Sequence, residues 1–130
     1  MHELAIAQGI LDSVLTERAR RNLAQIDEIG VQIGDLSGVF ADALQFSFDA
    51  IRMGTPLENS QLVIEKVPTR VRCANCDSES EVKHFLFICP RCSSTSVSVM
   101  SGYELEIAYL DIPDSEEAAL LTQTMTTSNG

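Results

Sequence analysis

Four cysteines stand as two pairs, Cys73-x-x-Cys76 and Cys89-x-x-Cys92, with twelve residues between them, and the chain has no other cysteine. The tight turn inside a Cys-x-x-Cys pair aims both sulfurs at one point, so each pair is a two-toothed chelator. Two such pairs supply four thiolates, the donor set of a closed tetrahedral Zn(II) site. The competing readings are two disulfides or four unrelated buried thiols; a chain with no secretory signature favours zinc. With every coordination position filled by protein, such a site has no place for a water or a substrate. Its task is to fold a segment too short to build its own core. His84, between the pairs, is a spare nitrogen donor whose simpler reading is a solvated strand residue.

A second chelating set lies at Met1-His2-Glu3. A free α-amine at Met1, the His2 amide nitrogen and the His2 Nδ1 can close two fused rings on one metal. Three nitrogens in a plane suit Ni(II) or Cu(II), and Glu3 can fill the fourth position through its amide or its carboxylate. The first four N–H groups of a helix have no intrahelical acceptor, so spending one there breaks no ladder bond. The helix dipole opposes a cation at this end by about 0.3–1 kcal/mol. The amine, with a reference pKa of about 7.7–8.0, must also lose its proton. Binding of this kind is moderate and pH-dependent, which suits a protein that hands metal on. The bland alternative is that His2 is a frayed surface histidine.

The elements that must position these groups follow from periodicity. Leu4, Ala7, Leu11, Val14 and Leu15 recur at helical spacing, and Arg18, Arg20 and Arg21 fall in the last turn, where cations suit the dipole. Ile26, Ile29, Val31 and Ile33 read as a strand ending at Gly34. After the Gly34–Gly38 turn, a second helix is predicted from near Ala41 to Met53, burying Leu44, Phe48 and Ile51. Leu62–Val67 is a second strand, and alternation from Tyr103 through Ile112 gives a third. The expected fold is α+β: a small three-stranded sheet with two helices, and a zinc-ribbon module inserted before the last strand. The expected domains are 1–68 with 99–112, a ribbon at 69–98, and a disordered tail at 113–130. The ribbon would be joined by two crossings, a double connection able to act as a hinge.

Composition excludes several functions. Nine Lys+Arg against nineteen Asp+Glu give a net charge of −10, which opposes phosphate binding and hence a nucleic-acid partner. Between Glu65 and Cys92 the charges nearly cancel, and no basic stripe forms. The chain start has no basic n-region and no run long enough to span a membrane, so the expected compartment is the cytoplasm. Neither paired catalytic carboxylates, nor a Ser-His-Asp set, nor a phosphate-binding glycine loop is present, so no enzyme is expected.

Together, Met1-His2-Glu3-Leu4, the Ile33–Gly38 turn, the Cys73/Cys76/Cys89/Cys92 quartet and Ser101-Gly102-x-Glu104-Leu105 resemble the HypA/HybF family. Its members are nickel-delivery chaperones for nickel–iron hydrogenase and, in some organisms, urease. The resemblance covers about Met1 to Ile112. It implies nickel at Met1, His2 and Glu3, and separate zinc in the cysteine module. It also implies a HypB-type GTPase partner and the hydrogenase large subunit as recipient. Some family members use an acidic side chain just after the glycine-rich turn as a further nickel ligand. Here that position is Phe40, with the nearest carboxylate at Asp42; Asp42 and Asp35 read as helix-start and turn residues. A monomer and a homodimer that exchanges its zinc module both remain open. The alternative function is an acidic zinc-ribbon adaptor that binds a protein partner and makes no use of His2.

Overall fold

The computed structural model describes residues 2–113; Met1 and the expected tail from residue 114 onward lie outside them. The fold is α+β, with two helices, one three-stranded sheet and a second three-stranded sheet inserted before the last strand of the first. Among the described residues no helix is long and apolar enough to cross a membrane.

Helix α1 spans Glu3–Arg21 and buries Ala7, Ile10, Leu11 and Val14, a stripe at the spacing that puts residues on one face. Asn22 closes it in the left-handed conformation at φ 58°. Its N–H donates to the Ala19 carbonyl, and the Leu23 N–H donates to that of Arg18. This pairing satisfies carbonyls that would otherwise be orphaned at the helix end. Glu17 pairs with both Arg20 and Arg21 on the exposed side, where water screens such pairs and leaves them a small contribution.

Strand β1, Glu28–Gly34, sits at the centre of the first sheet. Helix α2, Ala41–Ile51, carries the chain over to β2, Gln61–Val67, which pairs with β1 in parallel. The last strand, Leu105–Asp111, pairs antiparallel on the other side of β1. Ile29, Val31 and Ile33 of β1 meet Leu44 and Phe48 of α2 and the buried stripe of α1 in a single core. Leu44 and Phe48 are fully buried, and each such side chain stabilises the fold by about 1.5–3 kcal/mol.

The second sheet is made of β3 (Arg70–Cys73), β4 (Glu79–Glu81) and β5 (Val97–Ser101), with β3 central and antiparallel to both. Numbered in chain order, Leu105–Asp111 is therefore β6. Pairing of β5 with β3 runs through Ser101 opposite Arg70. One expectation needs correction. The last strand starts at Leu105 and not at Tyr103, because Gly102 at φ 126° turns the chain. The Gly102 N–H donates to the Glu104 carboxylate within that turn.

The two crossings between the sheets are tied together where β1 ends. The Asp35 N–H donates to the Val67 carbonyl at 3.0 Å and the Leu36 N–H to the Gly102 carbonyl at 2.7 Å. Ser101 Oγ donates to the Pro68 carbonyl at 2.9 Å. A Cβ on Gly34 would come within 2.0 Å of the Gly102 carbonyl oxygen, whereas the nearest atoms to a Cβ on Gly30 belong to the Tyr109 ring. That ring is 46% exposed and can rotate outward. Gly34→Ala is therefore expected to destabilise the protein by about 2–4 kcal/mol and Gly30→Ala by less than about 1 kcal/mol, measured by urea unfolding.

Candidate metal centres

The four cysteines come together at one end of the second sheet. β3 delivers Cys73 to its own C-terminal end, and a tight turn brings the chain back to β4. Cys73 N donates to the Ser78 carbonyl at 2.9 Å, and Asp77 N donates to the Cys73 carbonyl at 2.9 Å, with Asp77 at φ 61°. The second pair repeats the pattern. Cys89 N donates to the Ser94 carbonyl at 2.9 Å and Ser93 N to the Cys89 carbonyl at 2.8 Å, with Ser93 at φ 63°. Both turns thus require a left-handed residue directly after the second cysteine, supplied by Asp and Ser in place of the glycine that the conformation favours.

All four sulfurs lie within 4.8 Å of one another. Cys73 Sγ is 3.5 Å from Cys92 Sγ, and Cys76 Sγ is 3.6 Å from Cys89 Sγ. A disulfide needs about 2.05 Å, so the thiols are free. A tetrahedron with Zn–S bonds of about 2.3 Å has edges of about 3.8 Å, and the donor set present fits it. His84 is not among these donors. It sits in an exposed turn at φ 56°, not in a strand as the sequence suggested.

Hydrogen bonds to sulfur reach across between the two turns. Asn75 and Cys76 amides donate to Cys73 Sγ at 3.3 and 3.5 Å. The Asn75 side-chain amide crosses to Cys92 Sγ at 3.4 Å, and Ser78 Oγ lies 3.0 Å from Cys76 Sγ and 3.6 Å from Cys89 Sγ. The Ser78 hydroxyl and the Cys92 amide hold the Cys89 thiol down to about 6. The Asn75 side chain, with the Ser94 amide, lowers that of Cys92. Donors of this type stabilise a thiolate in the form that binds metal. Sequence spacing flagged the cysteines and the Asn75 backbone amide between them, but not the Asn75 side chain or the Ser78 hydroxyl, whose role depends on how the two turns face each other.

At the other end of the chain, His2 is the N-cap of α1 and Glu3 its first helical residue. His2 is exposed and extended at φ −91°, ψ 93°, and its ring makes no capping bond. Its carbonyl accepts the Ile6 N–H at 3.1 Å. The Glu3 carboxylate accepts the Phe40 N–H at 3.0 Å. That bond, with one from its own amide, holds the Glu3 carboxyl below its ordinary value. Phe40 is the N-cap of α2 and offers no side-chain cap, so Glu3 serves a donor on a neighbouring helix. Met1, the remaining expected nickel ligand, lies outside the described residues.

A family model described as hydrogenase/urease nickel incorporation, metallochaperone, hypA, matches residues 1–112. The hydrogenase maturation factor HypA of Chloroflexus aggregans is 40% identical over 114 residues, covering 87% of this chain and 100% of that protein. That of Geotalea daltonii is 39% identical over 112 residues, covering 86% and 99%. The solution structure of the Ni metallochaperone HypA from Helicobacter pylori aligns with a TM-score of 0.56 at 23% identity, over 86% of this chain and 97% of that one. A second solution structure, of a HypA protein, gives 0.61 at 22% identity, over 87% and 97%. At these identities the structures speak to the fold alone.

The hydrogen-bonded sulfurs lead to a measurable proton count. A thiol at about 6 is mostly ionised at pH 7, so it has no proton left to give up on metal binding. Zinc added to the metal-free protein at pH 7 is expected to release fewer than four protons for the four cysteines, read by calorimetry in buffers of different ionisation enthalpy. Release of the full four would mean that the turns form only around the metal.

Proposed function

The chain belongs to the HypA family of hydrogenase/urease nickel-incorporation proteins, and we propose that it carries Ni(II) to nickel–iron hydrogenase during maturation, and to urease where that enzyme is served. Nickel is held by Met1, His2 and Glu3, and Zn(II) is held separately by Cys73, Cys76, Cys89 and Cys92. Zinc here is structural. Nickel is cargo.

The observation that carries the nickel reading is the state of His2. Its ring is exposed and free of any capping bond, and its amide lies ahead of the helix ladder. The Met1 amine, the His2 amide nitrogen and the His2 Nδ1 supply three in-plane nitrogen donors. Glu3 adds negative charge at the helix end where the dipole disfavours a cation, and its carboxylate is already oriented by the Phe40 amide. Phe40 stands where the family resemblance leads one to expect an acidic ligand, and here it fixes Glu3 through its backbone.

The partners in this reading are a HypB-type GTPase and the hydrogenase large subunit, and the compartment is the cytoplasm, where thiols stay reduced. An acidic zinc-ribbon adaptor remains the second reading. It is favoured by Phe40 and Phe46, which are 73% and 77% exposed at the start and on the outer side of α2, as a protein-contact surface would be.

Calorimetric Ni(II) titration separates the two. Protein beginning at Met1 is expected to bind nickel, its His2→Ala variant is not, and zinc is expected to stay at about one per chain in both. Residues added ahead of Met1 convert the amine to an amide and are expected to weaken nickel binding in the same way. Equal affinity in parent, variant and extended protein would assign the chain to the adaptor reading.

A further inference from the structure

The two cysteine turns share one backbone pattern, yet their sulfurs are not protected equally. Cys73 and Cys89 are each 1% exposed. Cys73 accepts two backbone amides. Cys89 lies 3.6 Å from the Ser78 hydroxyl and relies on its burial. Cys92 is half-buried and accepts the Asn75 side-chain amide. Cys76 stands apart. It is exposed, and among the described residues its one donor apart from the neighbouring thiol is the Ser78 hydroxyl, which is shared with Cys89. The equivalence of the turns breaks at this position, because the side chain that crosses between them, Asn75, serves Cys92.

Hydrogen bonds from amides withdraw charge from a thiolate and lower its nucleophilicity, and burial blocks the approach of a reagent. Both protections fail at the same sulfur. The geometry points to Cys76 as the modification site of the zinc module, the sulfur at which an alkylating agent or a hydroperoxide first attacks while the other three remain intact. This rests on the zinc reading given above.

The chemistry is a two-electron displacement. With an alkyl iodide, the Cys76 Sγ lone pair forms the C–S bond as the C–I bond breaks and iodide leaves. With a hydroperoxide, Sγ forms an S–O bond as the O–O bond breaks. Sulfur is oxidised to the sulfenic acid, and the peroxide is reduced to an alcohol or water once its leaving oxygen takes a proton from solvent. Either product turns Cys76 from a charged donor into a weak one. The module then loses a quarter of its anionic ligand set from the solvent side. Integrity of the ribbon is thereby linked to thiol-reactive conditions through a single atom.

Limiting iodoacetamide on the zinc-loaded full chain, followed by peptide mass spectrometry, tests this. Zinc content is measured first, and zinc release is followed with a chromophoric chelator. Cys76 is expected to be labelled at least about tenfold faster than the other three cysteines, with zinc release following its labelling. Ser78→Ala, which removes the hydroxyl donor, is expected to quicken labelling at Cys76 when compared with the parent at equal zinc loading. Asn75→Ala is expected to raise labelling at Cys92 and not at Cys76. Hydrogen peroxide with a sulfenic-acid trap should mark the same residue. Even labelling of all four cysteines, or labelling led by Cys73, Cys89 or Cys92, in protein that holds zinc would overturn the inference. Protein that purifies without zinc and binds none would overturn the zinc reading instead.

Discussion

The first sheet depends on the burial of one strand on one face and its hydrogen bonding on both edges. β1 presents Ile29, Val31 and Ile33 to the helices while its backbone pairs with β2 on one side and β6 on the other. A one-residue slip of β1 would turn that whole apolar set away from α1 and α2. β1 also ends at Gly34, from which the chain bonds to both crossings that lead to the ribbon. Helix packing, sheet order and ribbon attachment therefore all rest on the register of seven residues.

The ribbon has no comparable resource. The core cluster is drawn entirely from residues between Ala7 and Leu62. In the ribbon the buried hydrophobic residues are Val71, Cys73 and Cys89. A segment with so little apolar surface to hide gains little from packing to set against the entropy of ordering its chain. Convergence of four sulfurs supplies what the missing core does not, provided a metal gathers them. The protein thus combines two ways of making a stable unit, aliphatic packing in one part and coordination in the other.

Much of this was legible because the relevant signals are local. α1, β1, α2 and β2 show clear periodicity, and the cysteine spacing announces its own chemistry. The strands of the ribbon were not legible: β4 is only Glu79-Ser80-Glu81, a sequence with no apolar alternation to read. β6 does alternate, but as an edge strand it leaves Leu105, Ile107 and Tyr109 between 36% and 46% exposed. Its first residue was set by a glycine turn and not by its pattern. At the candidate sites the donor residues were visible and their supports were not. The bond from Phe40 to Glu3 spans 37 positions, and that from Asn75 to Cys92 spans 17; neither has a trace in residue spacing.

The joined crossings have a consequence for how such a chain can change over time. Pro68 and Ser101 are held together by a hydrogen bond, so the segment between them leaves and re-enters the rest of the protein at nearly one place. The remainder need span no gap, whatever length of chain fills that loop. Insertions and deletions among residues 83–88, which belong to no strand, alter the ribbon without moving β1, β2 or β6. The architecture behaves as a fixed socket with an exchangeable fitting, and length variation among related chains should concentrate in the fitting.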